Sequence, residues 1–184
     1  DAKIEVEASI QRLFFYAAWA DKFDGSARSV PLKAIALVMN EAIGNCGVIC
    51  DDRYPLLGFI SAMAPLFATG NRSIIIPSEP FSPIVTDFYQ VLDTSDVPPG
   101  TVNILTGKHT DLAIELASHM DIESVWSFST SDVSRDIEKA SVSNLKRTWV
   151  SNGEKRDWYN EESQGKQFLT NSTENKTIWI PYGE

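Results

Sequence analysis

The alternation of short apolar segments with helix-forming segments is the feature that most constrains how this 184-residue chain folds. Strands are predicted at residues 73–76, 102–105, 124–128 and 146–150. Helices are predicted between them at residues 83–92, 110–119 and 131–140. The predicted strands are apolar on both faces, as strands are when helices cover both sides of a sheet. The pattern therefore predicts an α/β fold with a mainly parallel, Rossmann-like sheet between two layers of helices.

The residues before this alternating region predict a leading helix, two strands and a further helix. Residues 2–21 are apolar at helical spacing. The apolar segments 33–39 and 47–50 are predicted to be two neighbouring strands. Pro55 then opens a helix that ends at Gly70.

Hydroxyl side chains precede three of the predicted helices and are candidate N-caps, because such oxygens accept from free backbone N–H groups. The candidates are Ser82, Thr110 and Ser131. The last strand of the series, at residues 146–150, is predicted to be buried and to run into a polar turn at Ser151 and Gly153.

The alternating pattern stops after Gly153. Residues 154–177 are polar, and residues 178–181 form a short apolar strand with no partner nearby in the sequence. Such a strand either returns to a sheet edge of the same domain or augments a sheet of another chain or domain. We predict a homo-oligomer that assembles through the segment from Thr177 to Tyr182.

Composition excludes several classes of protein. The net charge of −9 and the lack of any basic cluster larger than Lys146-Arg147 argue against nucleic-acid binding. The longest apolar run is interrupted and too short to span a membrane. Because the chain begins at Asp1 with no apolar leader, we expect a fragment or an internal boundary rather than a secreted precursor.

The two cysteines, Cys46 and Cys50, would lie roughly 13 Å apart on an extended strand, which is too far for a disulfide. With only two histidines in the chain, a zinc site lacks ligands, and we expect no metal. Two packed, reduced thiols indicate a cytoplasmic protein.

The turn that follows the strand at residues 124–128 is one candidate cofactor site. The sequence contains neither a G-x-G-x-x-G nor a Walker loop. The hydroxyls of Ser129, Thr130 and Ser131, together with the start of the next helix, could hold a phosphate. The alternative is that Ser131 serves only as a helix cap.

Ser78 and Glu79 follow another predicted strand and form a second candidate. A glutamate there could accept hydrogen bonds from a ribose diol, or it could be an acid in the first turn of the following helix. Neither histidine has an evident serine or cysteine partner at a strand end, which argues against a hydrolase triad. The loop at Asp51, Asp52 and Arg53 could bind a metal or transfer protons, but it could also be a self-paired surface loop.

Five segments in order resemble conserved patterns of one family. They are residues 46–55 (CGVICDDRYP), 65–71 (PLFATGN), 73–79 (SIIIPSE), 97–107 (VPPGTVNILTG) and 144–153 (NLKRTWVSNG). In the same order they resemble G-x-I-x-P-W-N-[FY]-P, P-A-L-A-x-G-N, V-V-x-K-P-S-E, P-x-G-V-x-N-x-V-x-G and N-L-K-x-x-x-L-E-L-G-G of the aldehyde dehydrogenase superfamily.

The order and spacing of these segments resemble the cofactor-binding domain of that superfamily over residues 35–155. The leading helix and the WIPYGE ending at residues 179–184 are most similar in style to the C-terminal, second aldehyde-dehydrogenase-like region of the family's sixteenth class. We predict a cofactor-binding-type domain at residues 1–155, with its leading helix at residues 1–25. Residues 156–184 would then be a polar linker and a C-terminal strand.

The resemblance also shows where the chain departs from the family. The asparagine that polarises the aldehyde falls at Arg53, and the lysine that holds the adenosine ribose falls at Ile76. The glycine of the phosphate turn falls at Ser129 or Thr130, and the general-base glutamate falls at Ser151. The catalytic cysteine belongs to a separate domain beyond this point, and residues 154–184 contain no cysteine.

These departures imply a domain with no catalytic residue of its own, so we expect a non-catalytic, structural and assembly part of a longer protein. Its partners would be the rest of that chain and further copies of itself, and we expect no bound cofactor. One alternative is a supporting region of an NAD(P)-dependent aldehyde oxidoreductase whose active site lies upstream. The other is a sensor that still binds NAD(P) or another nucleotide through Ser78, Glu79 and residues 129–131.

Overall fold

A computed structural model describes residues 2–183. The helices are α1 (Ala2–Trp19), α2 (Leu57–Ala68), α3 (Ser82–Thr86), α4 (Tyr89–Thr94), α5 (His109–Ser118), α6 (Ser131–Ser141) and α7 (Lys166–Asn171). The strands are β1 (Ser26–Ser29), β2 (Ala34–Ala42), β3 (Asn45–Ile49), β4 (Arg72–Ile76), β5 (Val102–Ile104), β6 (Ser124–Ser127), β7 (Arg147–Val150) and β8 (Thr173–Pro181).

The central sheet has five parallel strands in the order β5-β4-β3-β6-β7. From β3 the chain adds β4 and β5 on one side and later β6 and β7 on the other. The strand order therefore reverses between β3 and β6. In sheets of this kind ligands bind in the crevice at that reversal, outside the carboxyl ends of the strands.

Helices cover both faces of the sheet, which confirms the α/β fold predicted from the alternating pattern. On one face α2 is almost completely buried, because nearly every side chain from Leu57 to Leu66 is apolar or small. On the other face α5 crosses β3 so closely that a β-carbon at Gly47 would lie 3.0 Å from Leu116. The core strands are correspondingly buried, as parallel strands between two helical layers must be.

Helix α1 packs on α2, and its Glu5 carboxylate accepts from the backbone N–H groups of Leu56 and Leu57 at 2.9 and 3.0 Å. The acid therefore caps the start of α2 from a neighbouring helix. A carboxylate near a helix N-terminus is also favoured by the helix dipole.

The predicted caps are wrong in detail. Thr130, not Ser131, occupies the N-cap of α6, and its hydroxyl accepts from Val133 N–H at 3.4 Å. Helix α5 begins at His109, before Thr110, and α3 begins at Ser82 itself after an N-cap at Phe81 without a side-chain bond. In each case the helix begins at or before the residue predicted to cap it, so the predicted hydroxyl lies within its first turn.

Two strand predictions also need correction. The segments that form β2 and β3 are not neighbours, because β2 pairs with β1 and β8 in a separate sheet while β3 lies at the centre of the parallel one. Strand β7 is an edge strand whose residues are exposed or half-buried, not buried. Its apolar pattern reflects contact with one neighbour, β6, rather than enclosure on both sides.

Strand β8 returns to its own chain. It is nine residues long and pairs antiparallel with β2 from Thr173 to Pro181, opposite Ala42 to Ala34. Lys176 and Glu41, 3.0 Å apart, form an ion pair between the two strands. The last residue of the predicted 179–184 ending lies outside the described residues.

Residues 151–172 cross from β7 to β8 and carry apolar side chains into the core despite their polar composition. Trp158 and Phe168 are fully buried among the rings of Trp126, Phe128 and Trp149. Ring centroids lie 4.9 Å apart for Trp149 and Phe168, and 5.0 Å apart for Phe128 and Trp158. This aromatic cluster closes one end of the sheet. A division of the chain at residue 155 stays a prediction.

Candidate functional site

The candidate site lies at the carboxyl ends of the parallel strands, where β3 and β6 diverge. The loop after β3 carries Asp51, Asp52 and Arg53, and the turn after β6 carries Ser129 and Thr130. A cavity of about 170 Å³ separates the two and is also lined by residues 153–155. Of the residues predicted to bind a cofactor, Ser129 and Thr130 line this cavity, whereas Ser78, Glu79 and Ser131 do not.

Asp51 organises the first of these loops. Its carboxylate is buried and receives Arg53 Nη2 at 2.5 Å, Arg53 Nε at 3.1 Å and Arg53 backbone N–H at 2.9 Å. The hydrogen bonds that the Arg53 guanidinium donates to Asp51 raise its pKa, with partial desolvation opposing the shift. Trp158 Nε1 donates to the same carboxylate at 3.3 Å. The loop is self-paired, as one of the two sequence interpretations had it.

Glu79 and Ser78 are held by structural contacts. One oxygen of Glu79 accepts from the backbone N–H of His109 at 2.5 Å, at the start of α5. The backbone N–H of Glu79 donates to Asp52 Oδ1 at 2.8 Å, and fully buried Ser78 donates to Asp52 O at 3.3 Å. Glu79 therefore acts on a helix start, although on α5 rather than on the helix that follows it directly.

His109 joins the ends of β4 and β6. Its Nε2 lies 2.7 Å from Pro77 O and its Nδ1 lies 3.1 Å from Ser129 Oγ. Because a carbonyl only accepts, Nε2 carries a proton, and in the neutral imidazole Nδ1 then accepts from the serine hydroxyl. The prediction that neither histidine meets a serine at a strand end is therefore wrong. The third member of the arrangement is a carbonyl rather than a carboxylate, so the geometry is not that of the usual triad.

The turn after β6 is closed off by the turn after β7. Gly153 has φ of +77°, and a β-carbon there would lie 2.9 Å from the Ser131 backbone nitrogen. Ser151 donates its hydroxyl to Ser129 O at 3.4 Å. A phosphate at the start of α6 would have to compete with these backbone contacts.

A larger cavity, about 410 Å³, lies beyond Ser151 between β7 and residues 154–167. The guanidinium of Arg156 lies beside it, 5.5 to 5.8 Å from the ring centroids of Phe128, Trp149, Trp158 and Phe168. Burial lowers the pKa of Arg156, with nearby Glu154 opposing the shift. An arginine on aromatic faces is a stabilising cation–π contact.

The two thiols are far from reactive. Cys46 and Cys50 are buried and free. Burial raises the pKa of Cys46 to about 12, and burial beside Asp51 and Asp52 raises that of Cys50 further. Both therefore stay protonated near neutral pH, whereas a nucleophilic cysteine needs its thiolate.

Several residues that shape this edge were not identified from the sequence. Trp158 and His109 are distant in sequence from the strand ends they contact. Arg12 instead donates to Ser61 of α2 and to the carbonyls of Trp158 and Ser163. Their signals were weak, since a tryptophan within a polar segment and an arginine on an amphipathic helix are both ordinary. Among residues 2–183, no group of three histidine, cysteine, aspartate or glutamate side chains is placed to hold a metal, and no helix is long and apolar enough to span a membrane.

Comparison with known proteins gives the family. The family model described as "Aldehyde dehydrogenase family" matches residues 1–159. Human retinaldehyde dehydrogenase 3 is 30% identical over 153 residues, which cover 83% of this chain and 30% of that protein. Mouse retinal dehydrogenase 2 is 33% identical over the same shares of the two chains.

The fold comparisons agree. The crystal structure of PnpE from Pseudomonas sp. WBC-3 superposes with a TM-score of 0.77 at 27% identity, over 80% of this chain and 30% of PnpE. Lactaldehyde dehydrogenase from Escherichia coli, at 23% identity and a TM-score of 0.77, shows the same fold. The chain belongs to the aldehyde dehydrogenase family, and it spans about 30% of the length of the relatives it matches.

Proposed function

We propose that this chain is a non-catalytic aldehyde dehydrogenase-like domain, a pseudoenzyme, that serves as a structural and assembly part of a longer protein. The observation that carries the proposal is which residues occupy the positions where the resemblance places the reacting groups, and what those residues bind. Arg53 stands for the oxyanion asparagine and is bound to Asp51, and Ser151 stands for the general base. A serine hydroxyl that donates to a carbonyl has no base to activate it.

The missing nucleophile supports the same proposal. Residues 154–184 contain no cysteine, and residues 151–172 lead straight from β7 to β8. The two cysteines present are buried, protonated thiols inside the sheet. Without a nucleophile, a base and an oxyanion donor, no covalent aldehyde chemistry can be assigned to this segment.

We also propose that no dinucleotide binds. The cavity beside Ser129 and Thr130 holds about 170 Å³, below the roughly 300 to 1,000 Å³ typical of ligand pockets. Gly153 covers the backbone nitrogen of Ser131, and Ile76, at the position of the ribose lysine, is fully buried. With Arg53 neutralised by Asp51, the remaining acids lining the cavity, Asp52 and Glu154, outnumber Lys155, which disfavours a pyrophosphate.

Thermal unfolding with NAD+ tests this directly. A ligand at 100 times its dissociation constant stabilises the native state by about 2.7 kcal/mol, or roughly 5 to 10 °C for a domain of this size. We expect no shift with millimolar NAD+ or AMP beyond that of a matched salt control. We expect no NADH formation from a panel of aldehydes either. A rise of several degrees together with turnover would overturn the proposal.

Two alternatives give other patterns in the same experiments. A shift with NAD+ or AMP but no turnover would indicate the nucleotide sensor, with Ser78, Glu79 and residues 129–131 as its contacts. Turnover by a longer protein that contains this chain, but not by the chain itself, would indicate a supporting region for an upstream active site. One observation favours the nucleotide alternative. This chain is similar, at 27% identity, to the structure of PnpE in complex with nicotinamide adenine dinucleotide.

The assembly role is assigned to the segment from Thr177 to Tyr182, which lies on exposed β8 and just beyond it. We expect copies of the chain to associate through this strand and the rest of a longer chain to be its other partner. Deleting residues 177–184 should shift the protein to a smaller species in sedimentation velocity, and an unchanged size would exclude this segment as the assembly element. The cytoplasm is the proposed compartment, since both thiols are free.

A further inference from the structure

The cavity of about 410 Å³ between β7 and residues 154–167 takes no part in the proposed function. Ligand pockets typically measure roughly 300 to 1,000 Å³, so this cavity can enclose a small molecule. Its lining is mostly polar and combines both signs of charge. The charged residues are Glu154, Lys155, Arg156, Asp157 and Glu162.

Arg156 supplies the most enclosed of these charges. Its guanidinium is half-buried and lies 5.5 to 5.8 Å from the centroids of four aromatic rings, which fix its position. Its Nη1 donates to Glu162 O at 3.4 Å. No carboxylate forms an ion pair with it among residues 2–183. Because a guanidinium carries five N–H donors, the group retains donors for a ligand.

Two acids line the same cavity without pairing with this arginine. They are Glu154 and Glu162, and both are exposed. Burial lowers the pKa of Arg156, and the charges of Glu154 and Glu162 oppose that shift, so both act on the guanidinium from a distance. Asp157 differs, because one of its carboxylate oxygens accepts from Tyr159 N–H at 3.0 Å. The cavity therefore presents one cationic group and two acids near each other but not joined.

This arrangement of charge disfavours ions of a single sign. Three acids and two bases line the cavity, a net charge of −1. A simple anion would be repelled by the acids, and a simple cation would be repelled by the guanidinium. A ligand that carries both charges a few ångströms apart can place each beside its opposite.

We propose that this cavity binds a free α-amino acid as its zwitterion. The α-carboxylate accepts two N–H groups of Arg156, because the planar guanidinium matches a carboxylate in shape. The α-ammonium lies between Glu154 and Glu162 and donates to their carboxylates. The side chain of the amino acid lies in the remaining volume beside Trp149. Amino acids with neutral side chains are preferred over aspartate and glutamate, which would add an anion to an acidic lining.

Such a site goes beyond the structural role proposed above, because it makes the domain responsive to the concentration of amino acids. Titration of the 184-residue chain with glycine, L-serine and L-leucine tests it. Trp149 lines the cavity and the ring of Trp158 lies 5.7 Å from Arg156, so binding should change the tryptophan fluorescence. We expect saturation with a dissociation constant of about 1 mM or lower, matched by calorimetry. No saturable signal from any of the three up to about 10 mM would overturn the proposal.

Blocked analogues of leucine separate the two charges. N-acetyl-L-leucine lacks the ammonium, and L-leucinamide lacks the carboxylate. Each should bind about tenfold more weakly than L-leucine, or weaker still, because it loses a charge-assisted hydrogen bond and leaves its remaining charge exposed to repulsion. Equal binding of all three compounds would show that the cavity recognises only the side chain, and the proposed zwitterion site would be wrong.

Glu154→Gln gives the sharpest variant, because it removes an exposed charge and should leave the melting temperature unchanged. It should weaken L-leucine by about three- to fivefold and strengthen N-acetyl-L-leucine, since one acid fewer repels that anion. The matched control is Glu138→Gln, the same change on exposed α6 outside the cavity, which should alter neither affinity. If the two variants bind both compounds equally, the acid does not hold the ammonium and the proposal fails.

Arg156→Gln removes the group that holds the carboxylate, and we expect it to abolish saturable binding of L-leucine. Because Arg156 packs on four rings, its melting temperature is measured alongside. Retained binding in a folded Arg156→Gln chain would refute the assignment. If this variant does not fold, the comparison of Glu154→Gln with Glu138→Gln decides.

Discussion

Arg12 of α1 anchors residues 156–165 to the rest of the molecule, and its replacement by methionine tests how the domain is held closed. The side chain is only 5% exposed. Its Nη1 donates to Ser61 Oγ at 2.5 Å and to Ser163 O at 2.6 Å. Its Nη2 donates to Trp158 O at 2.8 Å. No carboxylate pairs with this guanidinium in the part of the chain that is described, and burial lowers its pKa.

The expected loss of stability follows from the hydrogen bonds that Arg12 makes and from the cost of burying its charge. Three hydrogen bonds from a charged donor contribute roughly 4 to 9 kcal/mol in total. Removing the buried charge recovers several kcal/mol of desolvation, so the net loss in Arg12→Met is about 3 to 5 kcal/mol. For a chain of this size that corresponds to a fall in melting temperature of roughly 10 °C.

Urea unfolding followed by tryptophan fluorescence measures this change. Arg135→Met is the matched control, because Arg135 is 68% exposed and its ion pair with Asp132, 2.9 Å long, is expected to contribute less than about 1 kcal/mol. Residues 156–165 should also become sensitive to protease in Arg12→Met but not in the control. If both variants unfold at the same urea concentration, the cost of desolvating Arg12 equals the stabilisation from its hydrogen bonds. That result would refute the proposal that Arg12 anchors residues 156–165.

Two further predictions concern the core. Phe168→Ala should lower the free energy of unfolding by about 3 to 5 kcal/mol, because it opens a cavity among four rings. The control Phe14→Ala, on the exposed face of α1, should lower it by less than about 0.5 kcal/mol. Equal losses of the two variants in calorimetry would contradict the packing described. The pKa of Cys46, raised to about 12 by burial, means that the folded chain keeps a proton that the unfolded chain releases above about pH 9. The free energy of unfolding should therefore fall by about 1.4 kcal/mol per pH unit per thiol from pH 9 upward. In urea titrations, Cys46→Ala should show a shallower dependence of this free energy on pH. The same dependence in the variant and the native chain would refute the prediction.

The central strands of the parallel sheet were predictable because helices enclose them on both faces, so each carries its own hydrophobic signal. Ser73 to Ile76 and Ser124 to Ser127 needed no knowledge of the rest of the chain. The smaller sheet was not predictable in the same way. Strand β8 pairs with β2, more than 130 residues away in the sequence. The residues around Ile178 and Trp179 contain no signal that identifies Ala36 and Leu37 as their partners.

The candidate site was predictable only as a set of strand ends. Parallel strands bring Asp51 and Ser129 to one edge by topology, which a sequence pattern can reveal. Which contacts those residues make depends on side chains from elsewhere. His109 reaches both Pro77 and Ser129, and Gly153 approaches Ser131, through geometry that no spacing rule encodes.

The departures from the family pattern and the unexpected packing of residues 151–172 have a common explanation. Asp51, beside the position of the oxyanion asparagine, binds both Arg53 and Trp158 Nε1. Trp158 in turn packs on Phe128. On the proposed function, the edge of the sheet that would face substrate in an enzyme is instead covered by the short connection at residues 151–172. The carboxylate and the arginine there pair with each other and satisfy a buried indole, which is what a closed structural domain requires.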